Sequence, residues 1–413
     1  MNLNTAKLNS HEQIEGAGLY PYYAGFSKNF VKSILESIDS QNSVVLDPWA
    51  GTGITNIIAN TLNLQSLGID INPVMTIISR ASLVTYENLT NINDNFLYTI
   101  DFNKIIDEDE PLKQWFHEDT CKIFRNLQRE ITLAYDKLLQ PENYYSEETC
   151  FYLTVLFLLT KKIVKENFSS SNPTWIKIAK SEEDKINIDK HYILQEYSEL
   201  LKKYITKQKA NSNSISNVNT NFYIGSSTSL PLTNQSIDFV LTSPPYCTRI
   251  DYAVSMKPEL AILNYRLNYE FKDLRRSIIG TTTVDKHASL PNIIWGESCN
   301  NFIDLLKNHE SRASNTYYYK NHIQYFSNMF NSLEEIYRVL KFNGTFILVV
   351  QNSYYKEVFN DIATHLSEMS INIGFNLIKR EDFPIRSLSN INKNSSKYVS
   401  KKQNFESVII LKK

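Results

Sequence analysis

The feature that most restricts the fold is a buried strand that runs into a glycine-rich turn and then a helix. Residues 43–48 read SVVLDP, an apolar run rich in β-branched residues, which is typical of a parallel strand covered on both faces. Gly51 and Gly53 follow and permit a tight turn, and apolar residues then recur at helical spacing over residues 54–62. The sequence therefore predicts a β-α unit whose turn lies at the carboxyl end of a sheet strand.

More units of the same kind follow along the chain. The segment SLGIDIN ends a second strand at Asp70 and leads into a helix that begins near Pro73. Later strand-like segments are FYIGSS, SIDFVLTSPP and GTFILVVQN, and the segments FNLIKREDFPI and ESVIILKK can pair as the last two strands. We predict an α/β fold with a doubly wound, Rossmann-like sheet, mostly parallel with an antiparallel C-terminal strand.

The α/β pattern is interrupted twice. Long amphipathic stretches predict a mainly helical insertion over residues 89–215, and the segment 257–320 shows no clear period. The length of 413 residues is sufficient for one α/β domain with such insertions. We therefore predict a second insertion or lid at residues 256–325, and an α/β domain built from residues 1–88, 216–255 and 326–413.

Composition restricts the class of protein. With 42% hydrophobic and 21% charged residues, the chain has the balance of a folded protein. The net charge of -1 gives no overall basic field, so any contact with nucleic acid must come from local clusters of Lys and Arg. The longest apolar run, residues 151–159, is too short to cross a bilayer, and the N-terminus lacks an apolar signal region, which predicts a cytoplasmic protein without a membrane partner. Four scattered cysteines predict reduced thiols and no structural metal.

The first candidate site is the turn after the first strand, from Asp47 to Gly53. Backbone N–H groups and a helix N-terminus face a ligand at such a corner, and glycine lets the backbone approach it closely. A bare turn is the alternative, because two glycines alone are a weak signal. Asp70 ends the next strand about 20 residues on, where a carboxylate suits the hydroxyls of a ribose. This combination favours a nucleotide-like cofactor.

The second candidate site is the segment TSPPY, Thr242 to Tyr246, at the end of a strand. Its two prolines stiffen the loop and leave the carbonyl groups of Ser243 and Pro244 as acceptors for an amino group. Tyr246 can stack on a planar base while these acceptors bind its exocyclic NH₂ and favour the pyramidal, reactive nitrogen. A proline-rich turn without such a role is the alternative.

Three motifs, DPWAGTGITN, GIDINP and TSPPY, occur in this order and resemble the cofactor, ribose and catalytic motifs of the amino-methyltransferases of restriction-modification systems. The segment YYAGFSKNFVKSIL looks like the helix that closes over the cofactor's methionine end in that family, and the C-terminal strand segments are similar to its later strands. The resemblance covers both ends of the chain and spares only the insertions. It implies a methyltransferase sheet, S-adenosylmethionine as cofactor and double-stranded DNA as substrate.

The resemblance also implies roles for individual residues. Ser226 stands at a cofactor-binding position where many relatives have an acid near the adenine, in a Gly-Asp pair that is Gly225-Ser226 here. A Ser at the head of the tetrapeptide is more typical of enzymes that methylate N4 of cytosine, whereas Asp or Asn is more typical of N6-adenine enzymes. The other implied cofactor-binding residues are Phe26, Asp47, Pro48, Trp49, Gly51, Gly53 and Asp70, and the implied catalytic residues are Ser243, Pro244, Pro245 and Tyr246.

The expected activity is site-specific transfer of a methyl group to N4 of a flipped-out cytosine, because a paired and stacked amino group cannot reach the cofactor. Three alternatives remain open: N6-adenine methylation, methylation of an RNA base, and a catalytically silent DNA-binding or assembly subunit. The family also implies a cognate restriction endonuclease or another defence component as partner.

Basic residues near the catalytic segment are candidate DNA contacts. Arg249 and Tyr252 directly follow that segment, and Arg275 and Arg276 precede the Gly-containing segment 279–281, which suits a DNA-facing loop. Basic residues of the helical insertion, Lys161, Lys162 and Lys165, can face phosphates, although a solvated helix face is the more frequent reason for such a cluster.

Overall fold

A seven-stranded sheet forms the centre of the molecule. The computed structural model describes residues 19–22, 27–38, 42–90, 97, 100–135, 145–171, 174–212, 215–247, 250–284, 290–385 and 404–413. The strands are β1 Val44–Asp47, β2 Gln65–Asp70, β3 Thr220–Ile224, β4 Ile237–Thr242, β5 Leu340–Gln351, β6 Ser353–Tyr355, β7 Val358–Asn360, β8 Asn376–Pro384 and β9 Phe405–Lys412. Strands β6 and β7 form a separate hairpin, and the others belong to the central sheet.

The strand order in the sheet is β3-β2-β1-β4-β5-β9-β8. The neighbours from β3 to β5 are parallel, and β9 is antiparallel to both β5 and β8. The predicted doubly wound sheet with an antiparallel C-terminal strand is thereby confirmed. The chain runs outward from β1 to β3 and then continues at β4, on the other side of β1, so a topological switch point lies between β1 and β4.

Helices cover the sheet and form a large neighbouring layer. The α-helices are α1 Lys28–Leu35, α2 Ile54–Thr61, α3 Pro73–Ala81, α4 Tyr86–Thr90, α5 Glu118–Tyr135, α6 Glu147–Phe168, α7 Lys190–Ser212, α8 Tyr252–Ser255, α9 Lys257–Ile262, α10 Glu270–Ser277, α11 Glu297–Lys307, α12 Tyr319–Val339 and α13 Ile362–Ile373. Short 3₁₀ turns lie at Pro111–Gln114 and Ile293–Trp295, and a π-helical turn at Ser314–Tyr318 precedes α12. The helix expected near Pro73 begins at that residue, with Asn72 as its N-cap.

Alternate strand residues face opposite helical layers. Val45 of β1 belongs to the apolar cluster that includes α1 and α2, whereas Leu46 belongs to the cluster of α11, α12 and α13. Phe239 and Val240 of β4 divide between the same two clusters. Because both faces of the sheet are covered at β1 and β4, these two strands are nearly continuous apolar runs, which is the signal that identified β1 in the sequence.

A third apolar cluster joins the two regions that the sequence analysis treated as separate insertions. It contains residues of α3, α5, α6 and α7 together with buried residues of the segment 253–278. The segment 257–320, which showed no period in the sequence, contains α9, α10 and α11, so the interpretation of this segment as irregular was wrong. Each of these helices is short, and a short helix carries too few turns to show a periodic pattern.

The described residues contain neither a membrane-spanning helix nor a cluster of metal-binding side chains. No helix in the described ranges is both long and apolar enough to cross a membrane. Among the same residues, no group of three or more His, Cys, Asp or Glu side chains is placed to hold a metal ion. The cysteines Cys121, Cys150, Cys247 and Cys299 are buried free thiols.

Candidate active site

A cleft lies at the carboxyl ends of β1 and β4, at the topological switch point. It encloses about 940 Å³, its open mouth included. Its walls are the turn after β1, the end of β2, the residues after β3, the catalytic segment after β4, and residues 277–279. The two sites predicted separately from the sequence therefore form one cavity, with Gly51 and Ser243 on the same edge of the sheet.

Hydrogen bonds fix the turn between β1 and α2. Gly51, at φ +53°, donates its N–H to Asp70 Oδ2 at 3.0 Å, and the other carboxylate oxygen of Asp70 accepts from Asn72 N at 2.8 Å. Asp47 Oδ1 accepts from Trp49 N at 3.1 Å. Each carboxylate oxygen still has acceptor capacity beyond one such bond, so Asp70 can accept from ribose hydroxyls as the sequence analysis expected.

Of the two glycines in the turn, only Gly51 lines the cavity. Gly53, at φ +78°, ends the turn before α2, and a Cβ built on it would lie 2.9 Å from Phe222 and from Ser79. Gly53 thus allows close packing of the turn against β3 and α3, and its contact with a cofactor stays a prediction.

Two carboxyls line the cavity, that of Asp47 buried and that of Asp70 half-buried. Burial raises the pKa of Asp47 from 3.8 to about 6, although hydrogen bonds from Thr242, Thr55 and Trp49 oppose the shift. Burial likewise raises the pKa of Asp70 to about 6, against the hydrogen bonds from Asn72 and Gly51. Neither carboxyl forms an ion pair with a basic residue in the described part of the chain. The site is therefore suited to a ligand that carries positive charge.

The catalytic segment is anchored on three sides. Thr242, the residue before Ser243, donates from Oγ1 to Asp47 Oδ1 at 2.5 Å and so joins the end of β4 to the end of β1. The Tyr246 N–H donates to Tyr252 Oη at 2.9 Å, and the Pro245 carbonyl accepts from Tyr325 Oη at 3.1 Å. The cavity is lined by Ser243, Pro244, Pro245 and Tyr246.

A glycine that the sequence analysis did not assign to the site packs against the catalytic segment. Gly280 has φ +80°, and a Cβ built there would lie 2.5 Å from the carbonyl oxygen of Tyr246. The neighbouring residues Ile279 and Thr281 are buried, and the Thr281 carbonyl accepts from Asn321 Nδ2 at 2.9 Å. The segment 279–281 is thus buried against the catalytic segment, with Ile279 also lining the cavity, and its role as a DNA-facing loop stays a prediction.

The predicted DNA-binding residues have different surroundings. Arg275 donates from Nε to Asp251 Oδ2 at 2.8 Å and from Nη2 to Thr282 Oγ1 at 3.0 Å, and Thr282 donates to the same carboxylate oxygen at 2.7 Å. The structure therefore gives Arg275 internal partners next to the catalytic segment, whereas Arg276 is exposed. Tyr252 lines the cavity and holds Tyr246 through its hydroxyl.

The remaining residues predicted from the sequence lie in the cavity, in the helical region or outside the described residues. Ser226 lines the cavity near the end of β3, and its hydroxyl is 2.8 Å from Thr228 Oγ1. Pro48 and Trp49 also line the cavity. In the helical region, Lys162 Nζ pairs with Glu196 Oε2 at 2.8 Å, in the manner of a solvated helix face. Phe26 and Arg249 lie outside the described residues.

Tyr22 is a cavity residue that the motif search missed. Its ring lies near the glycine turn, because a Cβ built on Gly51 would be 3.5 Å from Tyr22 Cε1. Burial, followed by the neighbouring Tyr252 and Asp70, raises the pKa of the Tyr22 hydroxyl well above its usual value. The residue stands between the turn after β1 and the catalytic segment. The only signal in the sequence was its position in YYAGFSKNFVKSIL, the segment in which the resemblance implied Phe26 as the cofactor-binding residue.

S-adenosylmethionine, the cofactor that the resemblance implies, fits the residues present. Its ribose hydroxyls can donate hydrogen bonds to Asp70, which can still accept them. Its sulfonium and ammonium groups are positively charged, and the carboxyls of Asp47 and Asp70 have no basic partner in the described ranges. The close approach of a ligand to the backbone is allowed at Gly51, where no side chain stands in the way.

A family model described as DNA methylase, for N6 and N4 methyltransferases, matches residues 3–79 and 237–413, which is more than half of the chain. The matched ranges contain β1, β2, the catalytic segment and the C-terminal half of the sheet. They leave out residues 80–236, which contain helices α4 to α7 and β3.

Individual relatives agree with this match. The type II methyltransferase M.BsoBI of Geobacillus stearothermophilus is 25% identical over 297 residues, which cover 64% of this chain and 56% of that protein. The type II methyltransferase M.AvaI of Nostoc sp. is 24% identical over 402 residues, or 87% of this chain and 79% of that one. The chain thus spans little more than half the length of M.BsoBI. A solved structure, the [4+2]-cyclase SpnF, aligns with 94% of this chain and 81% of its own at 8% identity and a TM-score of 0.34.

Proposed function

The chain belongs to the DNA methylase family of N6 and N4 methyltransferases, and from this premise we propose that it methylates the exocyclic N4 of a cytosine in double-stranded DNA. S-adenosylmethionine is the cofactor, as the sequence analysis expected. The observation that supports the proposal is the single cavity in which the turn after β1 and the SPPY segment face each other. The choice of cytosine rests on Ser243 at the head of that segment.

The proposed chemistry needs an amine that is held by hydrogen bonds next to an electrophilic methyl group. When bound, S-adenosylmethionine supplies that methyl on a sulfonium, so the amine lone pair forms the N–C bond while the C–S electron pair returns to sulfur. Asp70 holds the ribose, and the turn at Gly51 leaves room for the rest of the cofactor. The residues of the chain therefore contribute mainly alignment.

On the base side, Ser243 and the Pro244 carbonyl accept hydrogen bonds from the exocyclic NH₂, and Tyr246 stacks on the ring. The Pro245 carbonyl is already occupied by Tyr325, which fixes the loop so that it presents the preceding residues to the base. The nitrogen becomes cationic as the new bond forms, so the proton that it loses needs no strong base. Because the amine must leave the duplex stack to reach this cavity, base flipping is part of the proposal.

Nucleoside analysis tests the base. DNA from cells that express the protein should contain N4-methylcytosine, and DNA from cells that express the Tyr246→Ala variant should not. N6-methyladenine in its place would overturn the cytosine assignment in favour of adenine, and a methylated base in RNA alone would overturn DNA as substrate. Absence of every methylated base, together with no heat on titration with S-adenosylmethionine, would favour a silent DNA-binding subunit.

The two halves of the cavity can be tested separately. Tyr246→Ala should weaken capture of the base and leave the Kd for S-adenosylmethionine unchanged, whereas Asp70→Ala should raise that Kd. Calorimetry on the free protein measures the affinity for the cofactor, and binding to a DNA duplex whose target cytosine is mismatched measures capture of the base. Equal loss of cofactor affinity in both variants would contradict the proposed division of the cavity.

We also propose that the helical region, residues 89–215, reads the DNA sequence, because the family model leaves it unmatched while the cofactor and SPPY motifs match. Within residues 256–325, predicted as a second insertion or lid, α11 packs against the sheet, so we propose that the part before it borders the DNA, with exposed Arg276 as a candidate phosphate contact. A cognate restriction endonuclease is the proposed partner, supported by the names of M.BsoBI and M.AvaI as type II methyltransferases. DNA from expressing cells that is cut by every available endonuclease as readily as control DNA would count against such a pairing.

A further inference from the structure

A buried ion pair outside the cavity joins three separate parts of the chain. Lys161 of α6 places Nζ 2.7 Å from Glu259 Oε1 of α9 and 2.9 Å from the hydroxyl of Tyr20. The Tyr20 hydroxyl in turn donates to the same Glu259 oxygen. The exposed fraction is 2% for Tyr20 and 0% for Glu259, and 13% for the side chain of Lys161.

The energetics of this cluster do not favour a purely stabilising role. Moving two charges out of water costs energy that their attraction repays only when every remaining polar atom is satisfied. Here Glu259 Oε2 is buried without a hydrogen-bond partner in the described part of the chain. Apolar side chains of similar volume would pack against the surrounding core at least as well. What the ion pair adds is a defined geometry between the three segments that meet in it.

Two of those segments are close in the chain to residues that line the cavity. Tyr20 is two residues before Tyr22, whose ring stands against the turn at Gly51. Glu259 lies in α9, which begins directly after α8, and α8 begins with Tyr252, whose hydroxyl holds the N–H of Tyr246. The third segment, α6, belongs to the helical region that the family model does not match. The cluster thus connects the cofactor wall, the support of the catalytic segment and the helical region.

We propose that Tyr20, Lys161 and Glu259 form a latch that holds the Tyr20–Tyr22 wall in place, so that the helical region helps to set the affinity for S-adenosylmethionine. All three are positioning residues, since the cavity is lined by Tyr22 and not by them. The inference rests on the proposed location of the cofactor in this cavity, and it does not depend on which base is methylated.

Tyr20→Phe tests the latch with the smallest change, because it removes one hydroxyl and keeps the ring. We expect the Kd for S-adenosylmethionine, measured by calorimetry, to rise about three- to tenfold, a part of what one hydrogen bond to a charged group contributes. The kcat at saturating cofactor should stay within about twofold of the wild-type value, because the hydroxyl does not touch the reacting groups. Tyr197→Phe is the matched control: it removes an equally buried hydroxyl, which donates to the Tyr152 carbonyl at 3.1 Å, and should leave the Kd unchanged.

A second variant and a double-mutant cycle distinguish a specific effect of the latch on Tyr22 from a general loss of stability. Lys161→Met should raise the Kd in the same direction, whereas Lys162→Met, which removes the exposed pair with Glu196, should not. If the latch acts through Tyr22, Tyr20→Phe should have no further effect on the Kd in a Tyr22→Ala background. Unchanged affinity in Tyr20→Phe, or an effect that persists in that background, would overturn the latch.

The outcome for Asp70→Ala distinguishes the latch from the location of the cofactor. Weakened binding in Asp70→Ala with wild-type binding in Tyr20→Phe would overturn the latch alone. Wild-type binding in Asp70→Ala would overturn the location of the cofactor, and the latch with it.

Discussion

Gly280→Ala is the substitution whose consequence can be worked most directly from the structure. The glycine sits behind the catalytic segment with φ +80°, and the nearest atom to a Cβ added there is the Tyr246 carbonyl oxygen at 2.5 Å. That atom belongs to the backbone, so it cannot move aside without moving the loop. The substitution therefore pushes on the segment that is proposed to hold the base.

Two effects contribute to the expected result. A side chain in the left-handed region destabilises the fold by about 1–2 kcal/mol. Separately, the Tyr246 oxygen must retreat by about 0.9 Å to reach the 3.4 Å at which ordinary contact begins. A displacement of about 1 Å at a reacting group can lower the rate of transfer about 100-fold. We expect kcat to fall by about that factor, with the Kd for S-adenosylmethionine unchanged, because the turn after β1 is not displaced.

The assay compares Gly280→Ala with Gly374→Ala. Gly374 ends α13 with φ +124°, away from the cavity, and its added Cβ would meet the end of the Tyr337 side chain, which can move. Both variants should lose similar stability in urea unfolding, and only Gly280→Ala should lose methyl transfer to DNA in single-turnover experiments. Full activity in a folded Gly280→Ala protein, or an equal loss of activity in Gly374→Ala, would refute the reasoning.

Two further predictions concern charge. Arg275→Met should lower kcat, because the pair with Asp251 is lost, but should leave the salt dependence of DNA affinity as in the wild type. Arg276→Ala should reduce the slope of log K for DNA against log salt concentration by about 1. Anisotropy titrations at several salt concentrations measure this slope, and a reduced slope for Arg275→Met would show that Arg275 contacts phosphate. The raised pKa values of Asp47 and Asp70, both about 6, have two signed consequences. The protons that the folded state retains contribute their whole share to the free energy of unfolding below about pH 4, and this contribution is lost as the pH rises through about 6. The Kd for S-adenosylmethionine should rise as the pH falls below 6, by about tenfold per pH unit for each carboxyl that must be ionised. Calorimetry from pH 5 to 8 measures the latter, and a flat profile would contradict ionised carboxyls as the binding form.

The parts of the fold that the sequence predicted are those with a local signal. The unit from β1 to α2 and the last strand, β9, carry apolar runs, and the strand that ends at Asp70 is followed by Asn-Pro at the start of a helix. The short helices of the segment 257–320 escaped the analysis because each has too few turns for a periodic pattern. The common core of residues 74–205 and 253–278 could not be predicted, since nothing local in either segment specifies a distant partner.

The candidate site divides in the same way. Asp47, Asp70 and the SPPY segment were identified because each belongs to a compact motif with a chemical reason for its residue types. Gly280 and Tyr325 escaped because their contacts with the catalytic segment join positions far apart in the chain. The role of Arg275 could not be settled from the sequence, because a basic residue that contacts nucleic acid and a basic residue that supports a loop look the same there. Only the position of its carboxylate partner distinguishes them.

The helix behind the catalytic segment is held at both ends by cations from the helical region. Arg125 of α5 is paired with buried Glu110 and also donates to the carbonyls of Ala261 and Ile262, at the C-terminal end of α9, where unpaired carbonyls and the helix dipole favour a positive charge. Lys161 of α6 meets the same helix at Glu259. Because α9 follows α8, whose first residue accepts from the N–H of Tyr246, α5 and α6 are connected to the catalytic segment through backbone and buried charge. This connection requires no contact between the helical region and the base.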